Sequence, residues 1–168
     1  MSQDTSKLNA AKEAVKYVEN GMLVGLGTGS TAKIAVDLIG QKLSESFQII
    51  GMPTSIQTKK QAESLGIELI DIDEADIIDI AIDGADEVAP DLSLIKGLGG
   101  ALLREKKVEN KAKQLIIIVD ETKLVGKLGE GYLPVEVSIE EHESVRKDIM
   151  KLGCNAELRT ESNKLPFV

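Results

Sequence analysis

Three stretches carry side chains whose types and spacing could do chemistry. The first, GLGTGSTA, alternates Gly25, Gly27 and Gly29 ahead of Ser30 and Thr31, where a helix is expected to begin. Glycines let a backbone approach a ligand, hydroxyls donate hydrogen bonds, and free N–H groups at a helix N-terminus carry about half a positive charge. That combination suits a phosphate. It matches neither common nucleotide fingerprint, because Ser30 stands where a dinucleotide loop has its last glycine and no Gly-Lys-Ser/Thr ends the loop. A tight strand-to-helix turn capped by hydroxyls would use the same residues.

The second stretch, IDGADE, sets Asp83, Asp86 and Glu87 at and just beyond the end of an apolar strand. Crowded carboxylates are costly unless cations, ligand hydroxyls or solvent share their charge. Oxygen ligands for Mg2+, contacts to a sugar and a solvated acidic turn all satisfy that condition. The third stretch, IKGLGGALLREK, adds Lys96, a run of glycines and a helix carrying Glu105. The three together make a set for proton transfer beside a carbonyl. Glu105, with its pKa raised by partial burial, is the candidate base that moves a proton between adjacent carbons, and Lys96 the cation that steadies the developing enediolate oxygen. Asp83 and Asp86 would orient sugar hydroxyls. The pattern leaves open that Glu105 is a solvated helix residue.

The elements that must hold these loops are legible as a rhythm. Residues 4–18 read as a helix with Ala11, Ala14, Val15 and Val18 on one face; MLVG is a short buried strand; a second helix runs from about Thr31. FQIIG, IELI and IIDIAID read as strands, SIQTKKQAESLG as a helix, and a further helix is expected over about 100–112. Helices alternating with apolar strands predict an α/β fold, an open and mostly parallel sheet with helices on both faces. In such a sheet ligands bind beyond the carboxyl ends of strands, which is where both loops fall. LIIIVD, without alternation, predicts a central strand buried on both sides. GKLGEGYL reads as a connector, and PVEVSI, a helix over 141–152 and NAELR predict a β-α-β unit. The expected division is an α/β domain over 1–128 and an incomplete, smaller α+β domain over 129–168.

Composition removes several alternatives. The chain has 168 residues and a net charge of −8, so its overall field repels nucleic acid and anionic membranes, and any anionic ligand needs a local site. Aromatics are 2% with no Trp, which leaves an aliphatic core and disfavours stacking on bases. The N-terminal stretch is amphipathic and carries acids, unlike a secretory signal, and no stretch is long enough to span a membrane, so a cytoplasmic protein is expected. Cys154 has no partner for an intrachain disulfide and His142 none for a histidine-rich metal site.

With these residues in view, the chain strongly resembles ribose-5-phosphate isomerase type A, through VGLGTGSTA, PTSIQT, LGIELIDIDEAD, IDGADEV, IKGLGGALLREK, VDETKLV and LPVEV in order. The resemblance implies interconversion of ribose 5-phosphate and ribulose 5-phosphate by an enediol route without metal or cofactor, usually as a homodimer. It implies Glu105 as general base, Asp83 as the group that helps open the furanose ring, and Lys96 as the cation on the reacting oxygens. Thr28, Gly29, Ser30 and Thr31 match the family's substrate loop; Lys123 in DETK and Lys7 match further contacts, Lys7 near the phosphate. Gly84, Ala85 and Asp86, with Gly97, Leu98 and Gly99, fall within the matched substrate-binding motifs. Two departures stand out. Leu98 replaces a glycine of the family's run, which would strain the loop if that position needs positive φ. The family also continues past LPFV, so a fragment or shortened chain is expected, with an exposed sheet edge that lowers stability. A sugar-phosphate sensor that binds without turnover is the rival reading; a nucleotide-dependent oxidoreductase is a second, opposed by the missing glycine at Ser30.

Overall fold

A computed structural model describes residues 2–160. Two compact units are distinguished, Met1–Leu133 and Pro134–Val168. The first is built on a five-stranded sheet in the order β3-β2-β1-β4-β7, with every neighbouring pair parallel. Its strands are β1 (Leu23–Leu26), β2 (Ile50–Pro53), β3 (Glu68–Leu69), β4 (Ile78–Asp83) and β7 (Ala112–Ile117). Helices α1 (Gln3–Val15), α2 (Ser30–Lys42), α3 (Ile56–Ser64) and α4 (Leu102–Glu109) supply the crossovers and cover.

Strand alternation decides which helix covers which face. Val24 and Leu26 of β1 and Ile80 and Ile82 of β4 pack with Ala11, Ala14 and Val15 of α1 and Ala35, Val36 and Ile39 of α2. On the opposite face Ala81 and Met52 pack with Val108 of α4. Ser2 and Ser55 cap α1 and α3, their side chains accepting from the N–H groups of Thr5 and Thr58.

The order of the sheet places the two ligand-type loops side by side. From β1 the chain winds outward through β2 and β3, then returns to lay β4 against the other side of β1. The crevice beyond the carboxyl ends of β1 and β4 is thus the point where the winding reverses, the usual ligand site of open α/β sheets. A small hairpin, β5 (Glu87–Val88) paired antiparallel with β6 (Leu94–Ile95), then brings the chain back, with Asp86 N–H donating to the Ile95 carbonyl at 2.8 Å. That return carries Lys96 back over the end of β4.

Four expectations are corrected. LIIIVD is not a central strand: the strand runs over Ala112–Ile117, pairs with β4 alone and lies at the edge of the described sheet, with Lys113, Gln114 and Leu115 exposed. An unbroken apolar run reports β-propensity, but its place in the sheet depends on which strands pair beside it. The strands buried along most of their length are β1, β2 and β4. Nor does a β-α-β unit form over 134–159: only α5 (His142–Lys151) is regular, while Val135, Ile139 and Leu158 remain exposed. Among the described residues of these two segments no strand ladder is formed, and a short strand needs neighbouring strands to be stable. The third concerns Leu98. The left-handed backbone falls on Gly97 (φ 103°) and Gly100 (φ 81°), so Leu98 carries none of the strain that its substitution for glycine suggested. Helix α1 also stops at Val15, three residues before Val18, with Lys16 as its cap.

Candidate functional site

The cluster is assembled around one ammonium group. Lys96 Nζ lies 3.4 Å from Asp83 Oδ2, 3.5 Å from Glu105 Oε2 and 3.1 Å from Glu109 Oε1, and it donates to the Gly84 carbonyl. Its side chain is 11% exposed, and those of Asp83 and Glu105 are 1% and 6% exposed. Asp83 comes from the end of β4, Glu105 and Glu109 from one face of α4, and Lys96 from the segment after β6. Three elements therefore converge on a buried charge that none could hold alone.

Asp83 is fixed from the first loop. Its Oδ1 accepts from the N–H groups of Thr28, at 2.9 Å, and Gly84, at 2.7 Å. Gly27 makes this approach possible, since a Cβ there would fall 2.5 Å from the Ile82 carbonyl oxygen and closer still to Asp83 Oδ1. Behind the loop, Thr58 donates to the Gly27 carbonyl at 2.9 Å and Thr54 to the Leu26 carbonyl at 3.0 Å. Thr54 spends its one proton there, so the 2.7 Å contact between the Thr28 and Thr54 hydroxyls has Thr28 as donor. The loop is thereby held from beneath and keeps its outer surface for a ligand.

That surface opens on a cavity of about 150 Å3 whose walls include Thr28, Gly29, Ser30 and Thr31 on one side and Gly84, Ala85, Asp86, Lys96, Gly97, Gly99 and Glu105 on the other. Gly29 caps α2, and the N–H groups of its first turn have no carbonyl four residues back to pair with. Lys123, on a single 3-10 turn over Glu121–Lys123, adds a cation to the wall. Asp120 anchors that turn by accepting from Thr122 N–H at 3.0 Å. Lys7 stands 4.0 Å from Asp120 Oδ2 and does not line the cavity. Leu98 does not line it either; its N–H donates to Asp86 Oδ2 at 2.9 Å. Glu87 turns away from Asp83 and Asp86, accepting from the N–H groups of Gly129 at 2.6 Å and Gly131 at 2.7 Å. The three acids of IDGADE thus diverge.

Glu109, Thr54, Thr58 and Asp120 escaped the sequence reading. The signal for Glu109 was its spacing of four from Glu105, which puts both on one helix face. Thr54 and Thr58 offered no comparable sign, because their role depends on β2 lying beside β1.

The electrostatics follow from one cation among several acids. Burial pushes the Asp83 carboxyl up to about 7; Lys96 opposes the shift, Glu105 and Glu109 add to it, and the Gly84 N–H opposes it. Burial likewise raises the pKa of Glu105 above the usual carboxylate range against the pull of Lys96, with Glu109 and Asp86 reinforcing the rise. For Lys96 burial works against the charge, but Asp83, Glu105 and Glu109 outweigh it and raise its pKa above the ordinary lysine value. A carboxyl that binds its proton more tightly when folded contributes stability below its unfolded pKa of 3.8 and loses that contribution as pH rises through about 7. Asp79 and Asp120 have lowered pKa values, so their opposite effect is confined to the acid side of that window. Melting followed by circular dichroism is therefore expected to show Tm falling on the order of 5 °C from pH 5 to pH 8, with a shallower slope in Asp83→Asn. Equal slopes would contradict the assignment of that proton to Asp83.

The model of the family "Ribose 5-phosphate isomerase A (phosphoriboisomerase A)" matches residues 50–168. The chain is similar to a probable chloroplastic ribose-5-phosphate isomerase 3 of Arabidopsis thaliana, with 48% identity over all of this chain and 64% of that protein. A solved D-ribose-5-phosphate isomerase in complex with phospho-erythronic acid superposes with a TM-score of 0.91 at 41% identity, over 100% of this chain and 75% of that one. The ribose 5-phosphate isomerase A of Methanocaldococcus jannaschii gives 0.92 at 42% identity, over 99% and 75%. The chain spans 64%, 66% and 59% of the length of three curated relatives that it matches.

Proposed function

Because the chain belongs to the ribose 5-phosphate isomerase A family, we propose that it interconverts ribose 5-phosphate and ribulose 5-phosphate through an enediol. The observation that carries this reading is the single Lys96 ammonium within 3.5 Å of both Asp83 and Glu105, beside a cavity that the 28–31 loop also lines. The 28–31 loop, the first turn of α2 and Lys123 bind the phosphate, and their N–H groups and ammonium supply local positive potential in a chain of net charge −8. Asp83 lies behind the cavity wall, not on it, and with a pKa of about 7 can hold or release at neutral pH, by way of Lys96, the proton that opening the furanose ring requires, while Asp86 on the wall orients hydroxyls.

In the open aldose, Glu105 takes the proton from C2. The electron pair of that C–H bond forms the C1=C2 double bond, and the carbonyl electrons move to O1, whose negative charge Lys96 steadies. The O2 hydroxyl proton passes to O1, leaving the enediolate charge on O2; as O2 becomes the carbonyl, the C1=C2 pair takes a proton from Glu105 at C1, which gives the ketose and restores the carboxylate. With little solvent exposure Glu105 returns part of the carbon-derived proton to C1 and exchanges the rest with solvent while it holds it. A homodimer acting in the cytoplasm on a free pentose 5-phosphate is part of the same proposal. Among the described residues no helix is long and apolar enough to cross a membrane.

NMR in deuterated water tests the chemical step. Ribose 5-phosphate is expected to convert to ribulose 5-phosphate with deuterium entering at the transferred position, unaffected by a chelator, and phospho-erythronic acid to inhibit. Binding of ribose 5-phosphate without exchange or conversion would select the sensor reading instead.

A further inference from the structure

Glu109 has no part in the chemistry just derived, yet it makes the shortest of the three ion pairs to Lys96, at 3.1 Å against 3.4 and 3.5 Å. Its side chain is 11% exposed, so the charge is withdrawn from solvent rather than left on a helix surface. It does not line the cavity, whereas Glu105, one turn earlier on α4, does. Contact with substrate is thus left to Glu105. We infer that Glu109 is a positioning residue: it shares the Lys96 ammonium with Glu105, and so sets both where that ammonium sits and how strongly Glu105 holds a proton.

The inference rests on the isomerase reading and follows from counting charges around Glu105. Facing it are Lys96 from the segment after β6, Glu109 on its own helix, Asp86 from the loop after β4, and Asp83 at the end of β4. Without Glu109, and with Asp83 the other acid left on it, Lys96 would draw Glu105 further toward a stable carboxylate, a weaker base in the site where proton abstraction is needed. A second glutamate on the same ammonium divides that attraction and adds a like charge. Glu105 then keeps a higher affinity for protons than an ordinary carboxylate. The ammonium, tied by Glu109 and the Gly84 carbonyl, is held at the cavity wall and does not swing fully onto the base.

The test uses the full chain and Glu109→Gln, which keeps the shape and removes the charge. The acid limb of the kcat/KM profile is expected to move to lower pH by about half a unit or more, and kcat at neutral pH to fall about three- to tenfold with KM little changed. Carbon-13 labelling of glutamate carboxyls, with the Glu105 signal assigned through Glu105→Gln, should show the Glu105 midpoint moving the same way. Glu109→Asp keeps the charge but draws it back toward the helix; it should fall between, and supplies the reading if the Gln variant does not fold. An unmoved Glu105 midpoint and acid limb would overturn the inference. The titration needs no turnover, so it judges Glu109 even if the wild type fails to isomerise, a failure that would count against the proposed function alone.

Discussion

Glu105→Gln is expected to yield a folded protein that binds ribose 5-phosphate and scarcely isomerises it. The amide has the size and hydrogen-bonding reach of the carboxyl but cannot accept a proton from carbon, so kcat should fall about a hundred- to ten-thousand-fold. The phosphate contacts proposed above lie elsewhere, at residues 28–31 and Lys123 on the cavity wall, so substrate affinity should stay within about threefold. Stability should not suffer. Lys96 keeps Asp83 and Glu109 as partners, and a buried acid of raised pKa has been replaced by a neutral group. Turnover assays with calorimetric binding and thermal melts separate these outcomes. A kcat within a few-fold of wild type would remove Glu105 from the role of base, and a collapse of binding alongside kcat would point to a disturbed site.

What could be read from the sequence, and what could not, divides along the range of the interactions. The parallel sheet was legible because β1, β2 and β4 are apolar runs separated by helical periodicity, a local pattern. The loops after β1 and β4 were legible because glycines and acids punctuate that pattern. Their adjacency was not, since it arises from the reversal of winding between β1 and β4, which no single segment encodes. The hairpin β5–β6 has two residues in each strand, too few to show alternation, yet it is what returns Lys96 to Asp83. Glu109 sits in the charged run REKKVEN and looks like surface, and only the arrival of Lys96 from another element gives it a partner. Leu98 teaches the same lesson in reverse: the glycine run was visible, but which of its members takes positive φ depends on how the loop meets Leu102, whose Cβ would lie 2.8 Å from a Cβ at Gly97.

Lys96→Met is expected to be the most damaging single change to the fold as well as to catalysis. The methionine fills nearly the same space, but it leaves Asp83, Glu105 and Glu109 facing one another with no cation, and the Gly84 carbonyl without its donor. Breaking a buried pair by removing one partner costs about 3–5 kcal/mol, a large share of the roughly 5–15 kcal/mol that holds a typical domain together. The cost depends on pH in a defined direction. Without Lys96 the carboxyls bind protons more tightly still, so the variant recovers stability as pH falls and its neutral acids no longer repel. Urea denaturation should therefore show a deficit against wild type near the full amount at pH 8 and clearly smaller at pH 5.5, with isomerase activity absent at both. A deficit of equal size at the two pH values would mean that Lys96 stabilises through packing of its methylenes, and that the acids around it are already neutral in the native protein.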